Sequence, residues 1–146
     1  MFDMSLLKNG KITRVEASAV AGTTTLTSDI LDMQGYDRVL WIASLGDVSD
    51  TSVCTLTALV NATNDTVTPT TLDNAAAVTA TATSADDTLL MVDVGPNSIL
   101  GNRYAYCTLA RATANAVVNG IYAIRYGART EGVTQDSTVA ASAFNA

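Results

Sequence analysis

A chain of 146 residues is one domain's worth of polypeptide and buries roughly 70% of the surface its unfolded form exposes, enough for a core without metal or disulfide support. Its net charge of −6, with eight Lys and Arg scattered along the chain, gives none of the clustered cations that nucleic acid requires. Histidine is absent, which removes the commonest general base and metal ligand near neutral pH, and with it any Ser–His or Cys–His nucleophile system.

Thr and Val are abundant while Glu and Lys are scarce, a balance that favours strands over helices. Residues 1–11 (MFDMSLLKNGK) read as an N-terminal arm with a turn at KNGK. Asp3 and the lack of a long apolar stretch there argue against a signal peptide. No apolar run approaches the about 20 residues of a membrane helix, so a soluble protein made in the cytoplasm is expected. Residues 12–20 (ITRVEASAV) alternate as an edge strand, with Ile12, Arg14, Glu16 and Ser18 on one side and Thr13, Val15, Ala17 and Ala19 on the other. Gly22 ends that strand, and TTLTSDILDM reads as another short one.

A corner at Gln34, Gly35, Tyr36 and Asp37 suits a glycine with positive φ. Residues 38–45 then run apolar on both faces, Val39, Trp41, Ala43 and Leu45 one way and Leu40, Ile42 and Ser44 the other. Such a run predicts a central strand covered on both sides. Residues 53–60 (VCTLTALV) alternate, with Cys54, Leu56, Ala58 and Val60 facing the core and Thr55 and Thr57 facing out. Residues 61–87, rich in Thr, Ala, Asn and Asp with Pro69 inside, read as a long excursion holding one short strand or helical turn.

Further strands are predicted over residues 88–94, closed by Gly95, Pro96 and Asn97, over residues 103–111, and over residues 117–127. Residues 130–146 form a polar, small-residue C-terminal tail with Phe144 as its only large side chain. About eight short strands with frequent turns and no amphipathic helix predict an all-β fold. The expected architecture is an antiparallel β-sandwich, a jelly roll of about eight strands, in a single domain over 1–146 with extended arms at both ends.

Reactive chemistry is sparse. Cys54 and Cys107 are the only cysteines, and with no partner at ligand spacing they read as buried reduced thiols. Neither GxGxxG nor GxxxxGK occurs. Asp47, Asp50, Asp65, Asp86 and Asp87 lie in polar loops; they read as solvated carboxylates, the alternatives being a calcium site or a hydrolase acid pair, and no stretch has the EF-hand spacing. Trp41 is expected in the core rather than on a sugar-stacking surface. Tyr104 and Tyr106 share one strand face, and Tyr122 and Tyr126 another, lining the sandwich or its rim. No catalytic residue, metal ligand or cofactor site is expected, and the chain reads as a non-enzyme.

Three stretches, DMQGYDRVLWIASLGDV, VNGIYAIRYGART and VTQDSTVAASAF, resemble a group of small proteins encoded in tailed-bacteriophage structural modules, and through them the capsid cement or decoration proteins of the small jelly-roll type. The resemblance touches most of the chain after about residue 25. It implies a virion protein on the outer surface of the capsid that binds the major capsid protein, with no catalytic residues to transfer. A homo-oligomer is expected, a dimer in preference to a trimer. Phe2, Leu6 and Leu7 of the arm and Phe144 of the tail are the candidate partner contacts. The alternatives are a phage neck or tail component and a receptor- or carbohydrate-binding β-module. No nucleic acid or membrane partner is expected.

Overall fold

Period-two burial organises the whole molecule. In the computed structural model, which describes residues 5–81, 84–130 and 132–143, the elements run α1 (Leu6–Asn9), β1 (Lys11–Glu16), β2 (Ala19–Gly22), β3 (Leu26–Thr27), β4 (Leu31–Asp32), β5 (Arg38–Val48), β6 (Val53–Asn61), β7 (Thr70–Thr71), β8 (Ala76–Thr79), β9 (Leu89–Val94), α2 (Pro96–Ile99), β10 (Tyr104–Ala112) and β11 (Ala116–Tyr126). β1 and β2 are two halves of one bent ribbon along β11, β3 and β4 pair with β10, and β7 and β8 pair with β6. The described strands therefore form eight ribbons in two sheets. Sheet A has the order β1/β2, β11, β5, β9, and sheet B has the order β3/β4, β10, β6, β7/β8.

Every pairing is antiparallel. The first ribbon lies beside the last, the second beside the seventh, the third beside the sixth, and the fourth beside the fifth. Successive pairs go alternately to sheet A and sheet B. That is one long hairpin rolled up on itself, the jelly roll, and it matches the expected fold class.

Long β5 is the spine. Val39, Trp41, Ala43 and Leu45 each have 0% exposure and point into the core, opposite Cys54, Leu56, Ala58 and Val60 of β6. The opposite face of β5 departs from expectation: Leu40, Ile42 and Ser44 are only half-buried. Its second apolar face is the outer surface of sheet A.

Two buried arginines tie the sheets together at opposite ends. Arg111 of β10 makes four hydrogen bonds to neutral oxygens, donating to Thr24 O, Val20 O, Ala116 O and Thr24 Oγ1 at 2.8–2.9 Å. Gly22 leaves room for it, since a Cβ there would stand 3.3 Å from Nη2. At the other end Arg125 of β11 donates to Asp32 O at 2.9 Å and Thr13 Oγ1 at 3.2 Å. Burial lowers its pKa from the ordinary value.

Residues 61–87 hold two short strands, β7 and β8, rather than one. Asn61 organises the loop before them, its Nδ2 donating to Asp65 O, Asp65 Oδ1 and Val67 O. The GPN turn extends into the single helical turn α2, with Pro96 at the start of the helix where its missing N–H costs nothing.

Candidate binding surfaces

The corner after β4 is set by its sequence. Gln34 N donates to Asp32 Oδ1 at 2.9 Å and Tyr36 N to Met33 O at 3.0 Å. Gly35 takes φ +87°, which a turn with positive φ at its third position demands. With α2 and the start of β10 this corner encloses an open cleft of about 530 Å³. Met33, Tyr36, Ile99 and Leu100 supply its apolar wall. Two ion pairs rim it, Arg103 Nη2 to Asp32 Oδ2 at 2.6 Å and Arg129 Nη2 to Asp37 Oδ1 at 3.0 Å.

Arg103 also reaches Gln34 Oε1 at 2.7 Å. The hydrogen bond from Arg103, more than any other contact, holds the Asp32 carboxyl below its usual range, so this group stays ionised at neutral pH and has no proton to deliver. Both rim carboxylates are engaged by arginine.

Three of the five carboxylates singled out in the sequence serve the loops. Asp86 Oδ1 accepts from Val48 N at 2.7 Å, Asp50 Oδ1 from Thr51 N at 3.0 Å, and Asp65 Oδ1 from Val67 N at 2.9 Å. No group of three or more His, Cys, Asp or Glu that could hold a metal occurs among the described residues. Cys54 and Cys107 are buried and unbridged, and burial pushes the Cys107 thiol up to about 12. Trp41 lies in the core as expected.

The tyrosines do not line the interior. Tyr104 and Tyr106 alternate with the core-facing Ala105 and Cys107 on β10 and project from the other side of sheet B, where Tyr104 is half-buried and Tyr106 is buried at 3% exposure. Tyr122 and Tyr126 alternate with the buried Ala123 and Arg125 on β11, and stand on the outside of sheet A.

Of the expected partner contacts, Leu6 on α1 is 49% exposed and Leu7 beside it is half-buried. Phe2 and Phe144 lie outside the described residues. The described parts of the arm and tail are joined to each other and to the edge of sheet A. Gln135 Oε1 accepts from Ile12 N at 2.9 Å, and its Nε2 donates to Leu7 O at 2.9 Å and Gly10 O at 2.7 Å. Val133 N donates to Lys8 O at 3.1 Å, and Arg14 N to Thr138 Oγ1 at 2.9 Å. The tail thus occupies hydrogen-bonding positions along β1 that an edge strand would otherwise leave open.

Sheet A's outer face is the largest feature that sequence reasoning missed. Register places Tyr122, Ile42 and Met91 in one row across the sheet, and Ile124 and Leu40 in the next. Leu89 and Met91 are each 56% exposed. Tyr126 donates its hydroxyl to Asp93 at 2.6 Å, bridging over β5. The signal was present in the doubly apolar run of residues 38–45.

No family model and no curated protein matches this chain. Among solved structures it is similar to one described as infectious bursal disease virus Gx strain, with 14% identity and a TM-score of 0.49 over 83% of this chain and 33% of that one. It is similar also to infectious bursal disease virus Gt strain, with 12% identity and a TM-score of 0.46 over 85% and 33%. A third is Eiger TNF from S. frugiperda, with 8% identity and a TM-score of 0.40 over 88% and 99%. The chain spans about a third of the length of the two virus chains. Its jelly-roll order rests on its own strand pairings.

Proposed function

We propose that this chain is a non-enzymatic virion protein, a capsid cement module that binds the outer surface of a tailed-phage head and bridges neighbouring major capsid protein subunits. The observation that carries the reading is the pairing of two properties. The jelly roll keeps both thiols buried, and the outer face of its sheet A carries apolar and aromatic side chains, with Leu89 and Met91 each 56% exposed.

The first two of the three stretches that carry the phage resemblance also meet in space. Asp37 N donates to Tyr126 O at 3.3 Å, Arg129 N donates to Gly35 O at 3.0 Å, and Arg129 pairs with Asp37. Gln135 of the third stretch fastens the opening segment. Those residues serve the framework, as befits a protein that works by adhesion. Repeated contacts around a symmetric shell strengthen modest individual ones, and an acidic domain suits the exterior better than a DNA-filled interior.

Mixing the purified protein with heads that lack it provides the test. Co-sedimentation with expanded heads, together with a higher temperature of head rupture, is the expected result. Binding only to tails or necks, or failure to bind heads at any concentration, refutes the reading.

A further inference from the structure

We infer that the free edge of β9 takes an added β-strand from another polypeptide, an extended segment flanked by lysine or arginine. The site is a backbone edge in the plane of sheet A, distinct from the sheet's outer face, and its recognition does not require a phage head.

Among the described strands every other edge is blunted. The tail bonds along β1 at Ile12 N and Arg14 N. The edge pieces β2, β3, β4, β7 and β8 are two to four residues long. By contrast β9 runs six residues with no Pro, Lys or register shift, the devices that ordinarily keep a strand edge from pairing. It pairs on one side only, with β5. β8 packs beside it from the other layer, yet the two share no ladder.

Two hydrogen bonds fix which way its backbone turns. Thr88 O accepts from Leu45 N on β5 at 2.9 Å, and Asp93 O accepts from Asn74 Nδ2 on the opposite side at 2.9 Å. Successive residues of an antiparallel strand turn their backbone groups to alternate sides. Leu90 and Val92 therefore face β5, whereas Leu89 and Met91 turn N–H and C=O outward in the sheet plane. No described residue bonds to those outward groups. The side chains of Leu89 and Met91, each 56% exposed, flank the lane that an incoming strand would occupy.

Charge selects the occupant. Residues 39–102 contain no Lys, Arg or His. Asp86 and Asp87 precede one end of β9, and the exposed Asp73 adjoins Asn74 at the other. Asp93 is exposed there too, with its carboxylate accepting from Tyr126. Arg38, which opens β5, is in register with Tyr126 of β11, on the side of β5 away from β9. A second copy is a poor occupant. Pairing β9 with β9 about Leu90 sets Asp93 opposite Asp87 of the second copy, and like charges directly opposite destabilise a sheet. Pairing about Met91 needs the Asp93 carbonyl that Asn74 already holds. A foreign strand with a cation at each end meets acid at both ends of the lane.

Amide hydrogen exchange of the full chain, with the synthetic peptide KTVTVTK as probe, tests this directly. In the free chain the Leu89 and Met91 amides should exchange about tenfold or more faster than those of Leu90 and Val92, and saturating peptide should slow the first two by a similar factor. The peptide ETVTVTE should bind about tenfold or more weakly at low salt, and KTVTVTK N-methylated throughout should not bind. Met91→Pro removes one outward N–H at an edge where proline is tolerated and should weaken binding about tenfold or more, whereas Met91→Thr keeps the N–H and should stay close to wild type.

Unchanged exchange at Leu89 and Met91 in millimolar KTVTVTK overturns the proposal. So does equal binding of the acidic peptide, or binding indifferent to N-methylation, a comparison made on the wild-type chain and independent of whether Met91→Pro folds. Slow exchange at these two amides without peptide overturns it as well. If that protection rises with protein concentration a second copy holds the edge, and if it does not the chain's own termini do.

Discussion

Trp41 shows how much one side chain decides here. It fills the centre of the core with 0% exposure, yet its Nε1 is buried without a hydrogen-bond partner, so volume and not polarity holds it in place. Trp41→Ala should cost about 3–5 kcal/mol in denaturant melts, as large aromatic truncations do. Trp41→Phe should cost less than half as much, because it discards an unpartnered donor along with part of the volume. A near-zero loss for the alanine variant would contradict this placement. Cys107 gives a second test. Its folded-state pKa is raised to about 12 from 9.0, so the folded chain retains a proton that the unfolded chain has lost. The contribution is complete below pH 9 and disappears as pH rises towards 12, at on the order of 1 kcal/mol per unit. Thiol titration of the native protein at pH 8 should leave Cys107 unmodified; rapid labelling would contradict its burial. These roles were legible in the sequence, because Trp41 sits in a run of large apolar residues and Cys107 within an alternating strand. Those of Arg111 and Arg125 were not. A guanidinium satisfied by Val20, Thr24 and Ala116 oxygens depends on contacts across the sandwich that no local pattern announces.

Among the elements, the long strands could be read and the broken ones could not. The inward and outward residues of β5 and β6 fall as alternation predicts. By contrast, residues 12–20 divide into β1 and β2 because β11 loses register with its neighbours around Gly120, whose φ is +142°, and a bulge is a property of the pair and not of one strand. The tail reads in sequence only as a polar, small-residue extension, yet Gln135 works like an extra strand residue. Its amide accepts from one backbone N–H and donates to two carbonyls. Gln135→Ala should cost about 1–2 kcal/mol and should speed hydrogen exchange at the Ile12 amide about tenfold or more, with little change at core amides. Equal exchange in the variant and the wild type would show that the tail does not guard this edge. The same contacts revise the use of the arm. Removing residues 1–8 takes away the Leu7 carbonyl that helps hold Gln135, so the deletion loosens both termini together.

At the scale of the whole molecule, the chain has no histidine, its thiols are buried, and several of its aspartates are held in turns or ion pairs. What it offers outward is surface: an arginine-rimmed cleft beside the Gly35 corner and the uncovered face of sheet A. The fold class could be read from strand count and turn spacing. The outer face of sheet A could not, because an apolar residue facing outward and one facing the core look alike until the second sheet is seen to lie on one side only. A protein that works as shell adhesive must be present in proportion to the shell. Quantitative mass spectrometry of purified virions, with the major capsid protein as internal standard, measures that most directly. The account predicts hundreds of copies per particle, in a fixed ratio to the capsid subunit. A value of about six or twelve, the stoichiometry of a ring at the neck or tail, or the protein's absence from the particle, would contradict it.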